Sequence, residues 1–277
     1  MTAFVQISDT HFGTESAPVV EALVRMVVAQ APTLVVLSGD LTQRARPAQF
    51  RAARAFVDRL HAPATLVIPG NHDIALFNLV SRVVRPYANH RRVFGDELEP
   101  SFESADLLVV SVNTTRAYLH ERGVVSDAQI ERVARRLEQA RARQLRVVVT
   151  HQPVHVTRAQ DRDELLRGAE RAVRRWARAG ADLILGGHSH LPFVRALHEH
   201  YAELARRVWV VQAGTAVSSR LRHDAVNSVN VVRCLAVAAG PRRCAVERWD
   251  YAAPSQAFVK TERLEIELDD AGPAVTD

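Results

Sequence analysis

Long hydrophobic runs, cysteine and lysine are the scarce features of this 277-residue sequence. No uninterrupted apolar segment is long enough to span a bilayer, and the opening residues MTAFVQISDTH lack the basic stretch and apolar run of an export signal. We therefore expect a cytoplasmic protein without a membrane span. Its two cysteines, Cys234 and Cys244, flank a predicted hairpin and could face each other. In a cytoplasmic protein, free thiols are expected.

Arginine supplies almost all of the positive charge, because Lys260 is the only lysine among 36 basic residues. A net charge of +5 raises the question of nucleic-acid binding, which requires a patch of one sign. Here the arginines alternate with acids, and three pairs stand four residues apart as on solvated helix faces: Glu131 and Arg135, Asp163 and Arg167, Glu170 and Arg174. Nucleic acid is therefore an unfavoured partner, although it is not excluded.

Short β-branched runs alternate with helix-like stretches over most of the chain. The predicted strands are Phe4–Ser8, Thr33–Ser38, Ala64–Pro69, Leu107–Asn113, Arg146–His151, Asp182–Gly187 and Val208–Gly214. The predicted helices are Val19–Gln30, Pro47–Leu60, Asp127–Gln144 after an N-cap at Ser126, and Arg162–Ala179 after an N-cap at Asp161. The segment VNSVNVVRCLAVAAGPRRCAVERWDY predicts an antiparallel hairpin. We expect an α/β fold with one domain over residues 1–253, and a C-terminal strand or loose acidic tail over residues 254–277.

Polar residues collect directly after five of the predicted strands. They are Asp9-Thr10-His11, Gly39-Asp40, Gly70-Asn71-His72-Asp73, His151 and His188-Ser189-His190. Ligands gather outside the carboxyl ends of strands in open α/β sheets, so these groups are expected to converge. Asp9 and His11, two residues apart in an extended segment, are expected to point the same way. Each motif alone is usually an ordinary turn, but the ordered set favours a metal site, and imidazole and carboxylate suit Zn, Mn or Fe.

The ordered set D-x-H, G-D, G-N-H-D, H and G-H-x-H resembles the signature of the calcineurin-like metallophosphoesterase superfamily. The resemblance implies a four-layer α/β/β/α sandwich with a dinuclear metal site at the C-terminal ends of strands. It implies two divalent transition-metal ions per chain (Mn, Fe or Zn), one held by Asp9, His11, Asp40 and His190, and the other by Asp40, Asn71, His151 and His188. It also implies that His72 is a catalytic residue near the scissile phosphate and that Asp73 orients it.

The wording of the motifs is most similar to the bacterial class III cyclic nucleotide phosphodiesterases, as in ISDTHFG, SGDLTQRA, PGNHD, GGHSHLP and the later AGTAVSSRLR. The Asp-Arg-Gly arrangement of the serine/threonine phosphatases is missing after Asp40. The resemblance implies hydrolysis of a small phosphodiester, a 3',5'- or 2',3'-cyclic nucleotide or a related diester, through attack by a metal-bridged hydroxide. A nuclease or phosphomonoesterase of the same superfamily, or a non-catalytic binding scaffold, are the alternatives. A homodimer is compatible with the sequence.

Substrate selection is expected to reside in loops. The candidates are residues Leu76–Phe94, Asn113–Gly123 and Arg158–Arg162. In THQPVH, Thr150 and Gln152 depart from the His-His-Pro-Pro sequence of many members. Four further histidines are expected on the surface or in loops: His120, His155, His198 and His223. Of these, His155 and His223 follow motif-like segments and are the better candidates for substrate contact.

Overall fold

Two six-stranded sheets form the centre of the computed structural model, which describes residues 2–75, 79–201, 204, 206–222, 225–235 and 241–269. The strands are β1 (Ala3–Ile7), β2 (Leu34–Ser38), β3 (Thr65–Ile68), β4 (Ser101–Glu103), β5 (Leu107–Ser111), β6 (Leu145–Val149), β7 (Leu183–Gly186), β8 (Phe193–Ala196), β9 (Trp209–Gln212), β10 (Ser228–Leu235), β11 (Arg243–Ala252) and β12 (Ala257–Glu267). The helices are α1 (Ala17–Gln30), α2 (Pro47–Asp58), α3 (Leu79–Val84), α4 (Ala88–Phe94), α5 (Asp127–Glu138) and α6 (Ala169–Arg178). The sheet orders are β12-β11-β10-β1-β2-β3 and β4-β5-β6-β7-β9-β8.

The central strands are apolar on both faces because each lies between two layers. In β1, Val5 and Ile7 pack with α1 and α2, whereas Phe4 packs between the sheets. On the other side, α5 and α6 cover the second sheet and bury Trp176 completely. Alternate residues of a strand face opposite sides, so a layer on each side favours apolar residues at nearly every position, and in β1 only Gln6 departs from this pattern. The predicted four-layer α/β/β/α sandwich is confirmed.

Parallel pairing brings together the carboxyl ends of the strands that precede the five polar motifs. Strands β1, β2 and β3 are parallel neighbours, as are β5, β6, β7 and β9. The two sheets are joined at this edge where the Gln6 side chain donates a 2.9 Å hydrogen bond to the Gly186 carbonyl. The predicted hairpin is present as β10 and β11, in which Cys234 stands opposite Cys244, and both thiols are free. Residues Ala257–Glu267 add β12 to the sheet edge, and residues 270–277 lie outside the described part of the chain.

Two helix predictions are wrong at one end. The helix predicted from Arg162 starts at Ala169, because Val124 and Arg167 form a β-bridge and Gly168 has φ +89°. Asp161 therefore caps no helix and lies in a 3₁₀ turn, Ala159–Glu164. Helix α5 starts after Ser126, whose side chain caps it as expected, but ends at Glu138. No helix in the described ranges has the length and apolarity needed to cross a membrane.

Only one of the three predicted i, i+4 charge pairs forms. Glu170 and Arg174 make a contact of 3.1 Å within α6. Glu131 instead binds Arg175 across the two helices, and Asp163 binds Arg122 because it lies in the 3₁₀ turn rather than on a helix. The acids of the other two predicted pairs, Glu131 and Asp163, therefore bind arginines of neighbouring elements instead.

Candidate metal centre

The backbone of the candidate centre is left-handed at five of its side chains. Asp9, His11, Asp40, His188 and His190 have φ between +43° and +71°, and they are five of the nine non-glycine residues with positive φ in the described ranges. This conformation costs about 1–2 kcal/mol per residue, and such strain concentrates at functional sites. The expectation of extended backbone at Asp9 and His11 is wrong, because β1 ends at Ile7 and the chain turns at each residue.

Asp9, His11 and His190 form a first group of candidate ligands. The Nε2 atoms of His11 and His190 are 3.1 Å apart, and Asp9 Oδ1 is 3.3 Å from His190 Nε2. Two ligand atoms that bind one ion at about 2.0–2.1 Å, at right or tetrahedral angles, lie about 3 Å apart. The spacing of these buried side chains therefore fits one shared ion.

Asp40, His151 and His188 form a second group beside the first. Asp40 Oδ1 is 3.3 Å from His151 Nε2, whereas Asp40 Oδ2 is 3.7 Å from His11 Nε2 in the first group. Its two carboxylate oxygens thus face different groups, as a bridging ligand requires. The side-chain oxygen of Asn71 is 3.1 Å from His151 Nε2 and joins the second group. The structure brings together all seven predicted ligand residues, whose roles as ligands stay predictions.

Backbone carbonyls set the tautomers of the histidines at this site. Nδ1 of His151 is 2.9 Å from the Ser38 carbonyl, and Nδ1 of His190 is 3.0 Å from the Arg220 carbonyl. A carbonyl oxygen only accepts, so each Nδ1 carries the hydrogen and donates it. The Nε2 lone pair is then directed at the ligand group, which is the arrangement that metal-binding histidines use. The donor set therefore fits divalent transition metals.

Burial and the two carboxylates, Asp9 and Asp40, shift the pKa values of three histidines at the site. Burial lowers the pKa of His11 and of His188 to about 3, so both rings are neutral at pH 7 and ready to bind a metal. Burial also opposes the charged form of His151, but Asp40 outweighs it and raises the pKa of His151 to about 9. Burial disfavours ionisation of Asp9, yet His190 and other facing histidines lower its pKa. Two buried carboxylates therefore attract positive charge, which protons supply at His151 when metal is absent.

His72 forms a third group of possible ligands with His11 and Asp40, one residue from each of the first two groups, and a backbone carbonyl orients it. Its ring meets that of His11 edge-on, with centroids 4.8 Å apart, and its Nδ1 is 2.9 Å from the Gln43 carbonyl. The expectation that Asp73 orients His72 is wrong. The buried Asp73 carboxylate instead accepts hydrogen bonds from the backbone N–H groups of three residues: Leu41 (3.0 Å), Thr42 (2.9 Å) and Gly70 (2.9 Å). Asp73 therefore joins the segment after β2, which contains Asp40, to the segment after β3, which contains Asn71. Burial and the nearby Asp40 raise its pKa to about 6.

The candidate centre opens into a cavity that we call the metal pocket. Its lining includes candidate ligands (Asp40, Asn71, His188 and His190), His72, and a rim of Glu121, Glu164, Arg220 and Arg222. Glu164 accepts a 2.9 Å hydrogen bond from Arg222. The sequence did not single out Glu121 or Glu164, since neither belongs to a motif. In the sequence, only their positions pointed to them. Glu121 lies within the predicted loop 113–123, and Glu164 lies two residues after the predicted loop 158–162.

Gln152, the departure beside His151, connects the metal centre to the loop that carries Glu121. The side chain of Gln152 is fully buried, accepts a hydrogen bond from the Thr114 hydroxyl and donates one of 3.1 Å to the Glu121 carbonyl. Among the other histidines, His155 stacks on His200 with ring centroids 4.2 Å apart and does not line the metal pocket. His223 lies outside the described residues.

The sequence profile of the calcineurin-like phosphoesterase family matches residues 2–192, which contain every predicted site residue. A dimetal phosphatase from Danio rerio has a similar structure, with a TM-score of 0.67 and 12% identity over 97% of this chain and 99% of that one. A purple acid phosphatase from yellow lupin has a TM-score of 0.68 and 12% identity over 97% of this chain and 54% of that one. Vps29 from Entamoeba histolytica, described as complexed with Zn²⁺, has a TM-score of 0.51 and 11% identity over 95% of this chain and 99% of that one. No curated protein matches in sequence. At these identities the structures show a shared fold alone.

Proposed function

Because the chain belongs to the calcineurin-like phosphoesterase family, we propose that it is a metal-dependent phosphodiesterase that holds two divalent transition-metal ions. Its expected substrates are small phosphodiesters, above all 3',5'- or 2',3'-cyclic nucleotides. The observation that carries this proposal is the convergence of two ligand groups around the shared Asp40 carboxylate. Five strained residues and directed imidazoles at one edge favour a metal site over a scaffold that binds no metal.

The charges of the site favour an anionic substrate. Two divalent ions would supply Lewis acidity and lower the pKa of a bound water towards neutrality. Only Asp9 and Asp40 among the seven candidate ligand residues are acidic, so the charge of the ions would exceed that of the ligands. A phosphodiester monoanion would therefore be drawn into the metal pocket.

His72 is positioned to act on the substrate. Its Nδ1 is occupied by the Gln43 carbonyl, which leaves Nε2 as the nitrogen that can reach a ligand. When the ring is protonated, Nε2 can donate a hydrogen bond from the edge of the site to a phosphate oxygen, or a proton to the departing alkoxide. The backbone N–H of His72 donates a 2.8 Å hydrogen bond to Asp40 Oδ1, so the same residue also fixes the central carboxylate.

A phosphomonoesterase is the second candidate, because two proteins of similar structure are described as phosphatases. A monoester dianion has one more negative charge to neutralise than a diester. The segment after Asp40 lacks the Asp-Arg-Gly arrangement noted above. Arg44 is exposed, but its distance in sequence from Asp40 differs from that of the arginine in the arrangement. We therefore favour diesters.

The deciding experiment compares bis(p-nitrophenyl) phosphate with p-nitrophenyl phosphate, using protein of equal and measured metal content. We expect a higher kcat/KM for the diester, loss of activity with a chelator and recovery with Mn²⁺. A clear preference for the monoester would refute the diesterase proposal and support a phosphatase. Protein that binds metal but cleaves neither ester, nor cyclic nucleotides, nor single-stranded DNA would support a binding scaffold. Cleavage of DNA alone would support a nuclease.

A further inference from the structure

A second cavity of about 200 Å³ lies beside the metal pocket. It shares Asn71 and His72 with that pocket, and five further residues line it: Gln43, Arg44, Ile74, Arg82 and His120. We call it the side cavity. Ligand sites for whole small molecules usually have volumes of about 300–1,000 Å³. The side cavity is thus large enough for one part of a substrate whose reacting group occupies the metal pocket.

The two cavities differ in charge. The described residues that line the side cavity include two arginines, Arg44 and Arg82, and no carboxylate. The metal pocket also has two arginines, Arg220 and Arg222, but three carboxylates (Asp40, Glu121 and Glu164) line it with them and offset their charge. A group that enters the side cavity therefore meets positive charge from the protein itself, whether or not metal is bound.

Arg82 is held in a fixed position at the wall of the side cavity. Its Nε donates a 2.6 Å hydrogen bond to the Ala117 carbonyl, and its Nη2 donates a 2.8 Å hydrogen bond to the Leu119 carbonyl. These acceptors are neutral, so the bonds fix the guanidinium without cancelling its charge. They also hold the loop that carries His120, while Gln152 holds the next residue of that loop, Glu121.

Two consecutive residues of this loop therefore line different cavities. His120 lines the side cavity and Glu121 lines the metal pocket. His72 belongs to both cavities, and it is the residue placed to protonate a departing alkoxide. The leaving group of a diester bound in the metal pocket would accordingly project past His72 towards Arg44 and Arg82.

We propose that the side cavity binds a second phosphate carried by the leaving group of the substrate. This inference rests on the proposed diesterase function and narrows its substrate class. Cyclic nucleotides carry no second phosphate, so the favoured substrate becomes a phosphodiester whose departing alcohol is itself phosphorylated. Hydrolysis adds water across the P–O bond, so the attacked phosphorus keeps the new hydroxyl group and the phosphorylated alcohol leaves with a proton. Arg44 and Arg82 determine this specificity.

The test uses three thymidine dinucleotides that contain the same diester: TpT, pTpT with a 5'-phosphate, and TpTp with a 3'-phosphate. At equal metal content, we expect at least one phosphorylated form to exceed TpT in kcat/KM by about tenfold or more. One charge-assisted hydrogen bond contributes about this much or more. Equal kcat/KM values for the three substrates would overturn the proposal.

Arg44→Gln is the diagnostic variant, and Arg46→Gln is its matched control. Both arginines are exposed and lie two residues apart, but only Arg44 lines the side cavity. We expect the ratio of kcat/KM for the phosphorylated dinucleotide to kcat/KM for TpT to fall towards one in Arg44→Gln. In Arg46→Gln this ratio should stay as in the wild type. Persistence in Arg44→Gln, or equal loss in both variants, would overturn the assignment, because the effect would then come from elsewhere or from overall charge.

A binding measurement separates this proposal from the proposed function. Calorimetry compares thymidine 3',5'-bisphosphate with thymidine 5'-monophosphate and thymidine 3'-monophosphate, on wild type and both variants. We expect the bisphosphate to bind about tenfold more tightly than either monophosphate, except to Arg44→Gln. If no diester is hydrolysed, including bis(p-nitrophenyl) phosphate, the proposed function fails while this preference still supports the cavity. If diesters are hydrolysed but the preference is absent, the side-cavity proposal fails alone.

Discussion

Asn71 and His72 are sequence neighbours that we expect to fail in different ways when replaced by alanine. Asn71 directs its side-chain oxygen at the second ligand group, 3.1 Å from His151 Nε2. His72 keeps Nδ1 on the Gln43 carbonyl, and in the proposed function its Nε2 acts on the substrate. Asn71→Ala should therefore weaken the binding of one ion, whereas His72→Ala should leave both ions bound and slow the chemical step.

The size of each effect follows from these positions. Removing a general acid slows turnover by about 10² to 10⁴-fold, or about 2.7 to 5.4 kcal/mol in the activation free energy. We expect that loss in kcat for His72→Ala at every metal concentration. The Asn71→Ala defect should instead depend on metal concentration, because removing one ligand lowers the occupancy of the second group. Excess Mn²⁺ should then restore much of its activity.

The assay combines elemental analysis of each purified variant with turnover of a diester over a titration of Mn²⁺. His61→Asn provides the control, since His61 is an exposed histidine at the other end of β3 with φ +51°, a conformation that asparagine also accepts. It should match wild type in both measurements. Full rescue of His72→Ala by excess Mn²⁺ would refute the reasoning, because His72 would then be a ligand in the group it forms with His11 and Asp40.

The alternation of strand-like and helix-like runs predicted an α/β fold, whereas the four layers were implied by the resemblance to the family. In β1, Phe4 faces the other sheet and its neighbour Val5 faces the helices, so apolar residues are needed on both faces. The buried Gln6 interrupts this apolar pattern where it binds the Gly186 carbonyl. The start of α6 left no trace in the local sequence. Arg167 pairs with Val124, which is 43 residues away along the chain, and this tertiary contact overrides a helical pattern that was locally convincing.

The candidate ligands were predictable, whereas the way the chain aims them was not. Their residue types and order were visible as motifs at strand ends. The left-handed backbone at Asp9 and His11 depends on hydrogen bonds from their N–H groups to the carbonyls of Gly39 and Asp40, in a different strand–loop unit. The orientation of His72 likewise depends on the Gln43 carbonyl, and a main-chain acceptor leaves no mark in side-chain patterns. Glu164 belongs to the metal pocket only because its 3₁₀ turn folds towards Arg222.

Two further predictions concern the buried charge and the close packing of the centre. Because Asp40 raises the pKa of His151 to about 9 in metal-free protein, metal binding near pH 7 should release about one proton, and the apparent metal affinity should rise about tenfold per pH unit from 6 to 8. Calorimetry in buffers of different ionisation enthalpy measures this release, and a pH-independent affinity would contradict it. Gly70→Ala should abolish tight metal binding, because an added Cβ would lie 2.1 Å from both the backbone nitrogen and Oδ1 of Asp40, which must move away. Gly95→Ala is the control: φ +95° makes alanine strained by about 1–3 kcal/mol, but no atom lies within 4 Å of its Cβ, so stability should fall while metal content is retained. Wild-type metal affinity in Gly70→Ala would show that the site tolerates displacement of Asp40, and Asp40 could then not be the shared ligand on which the two-ion arrangement depends.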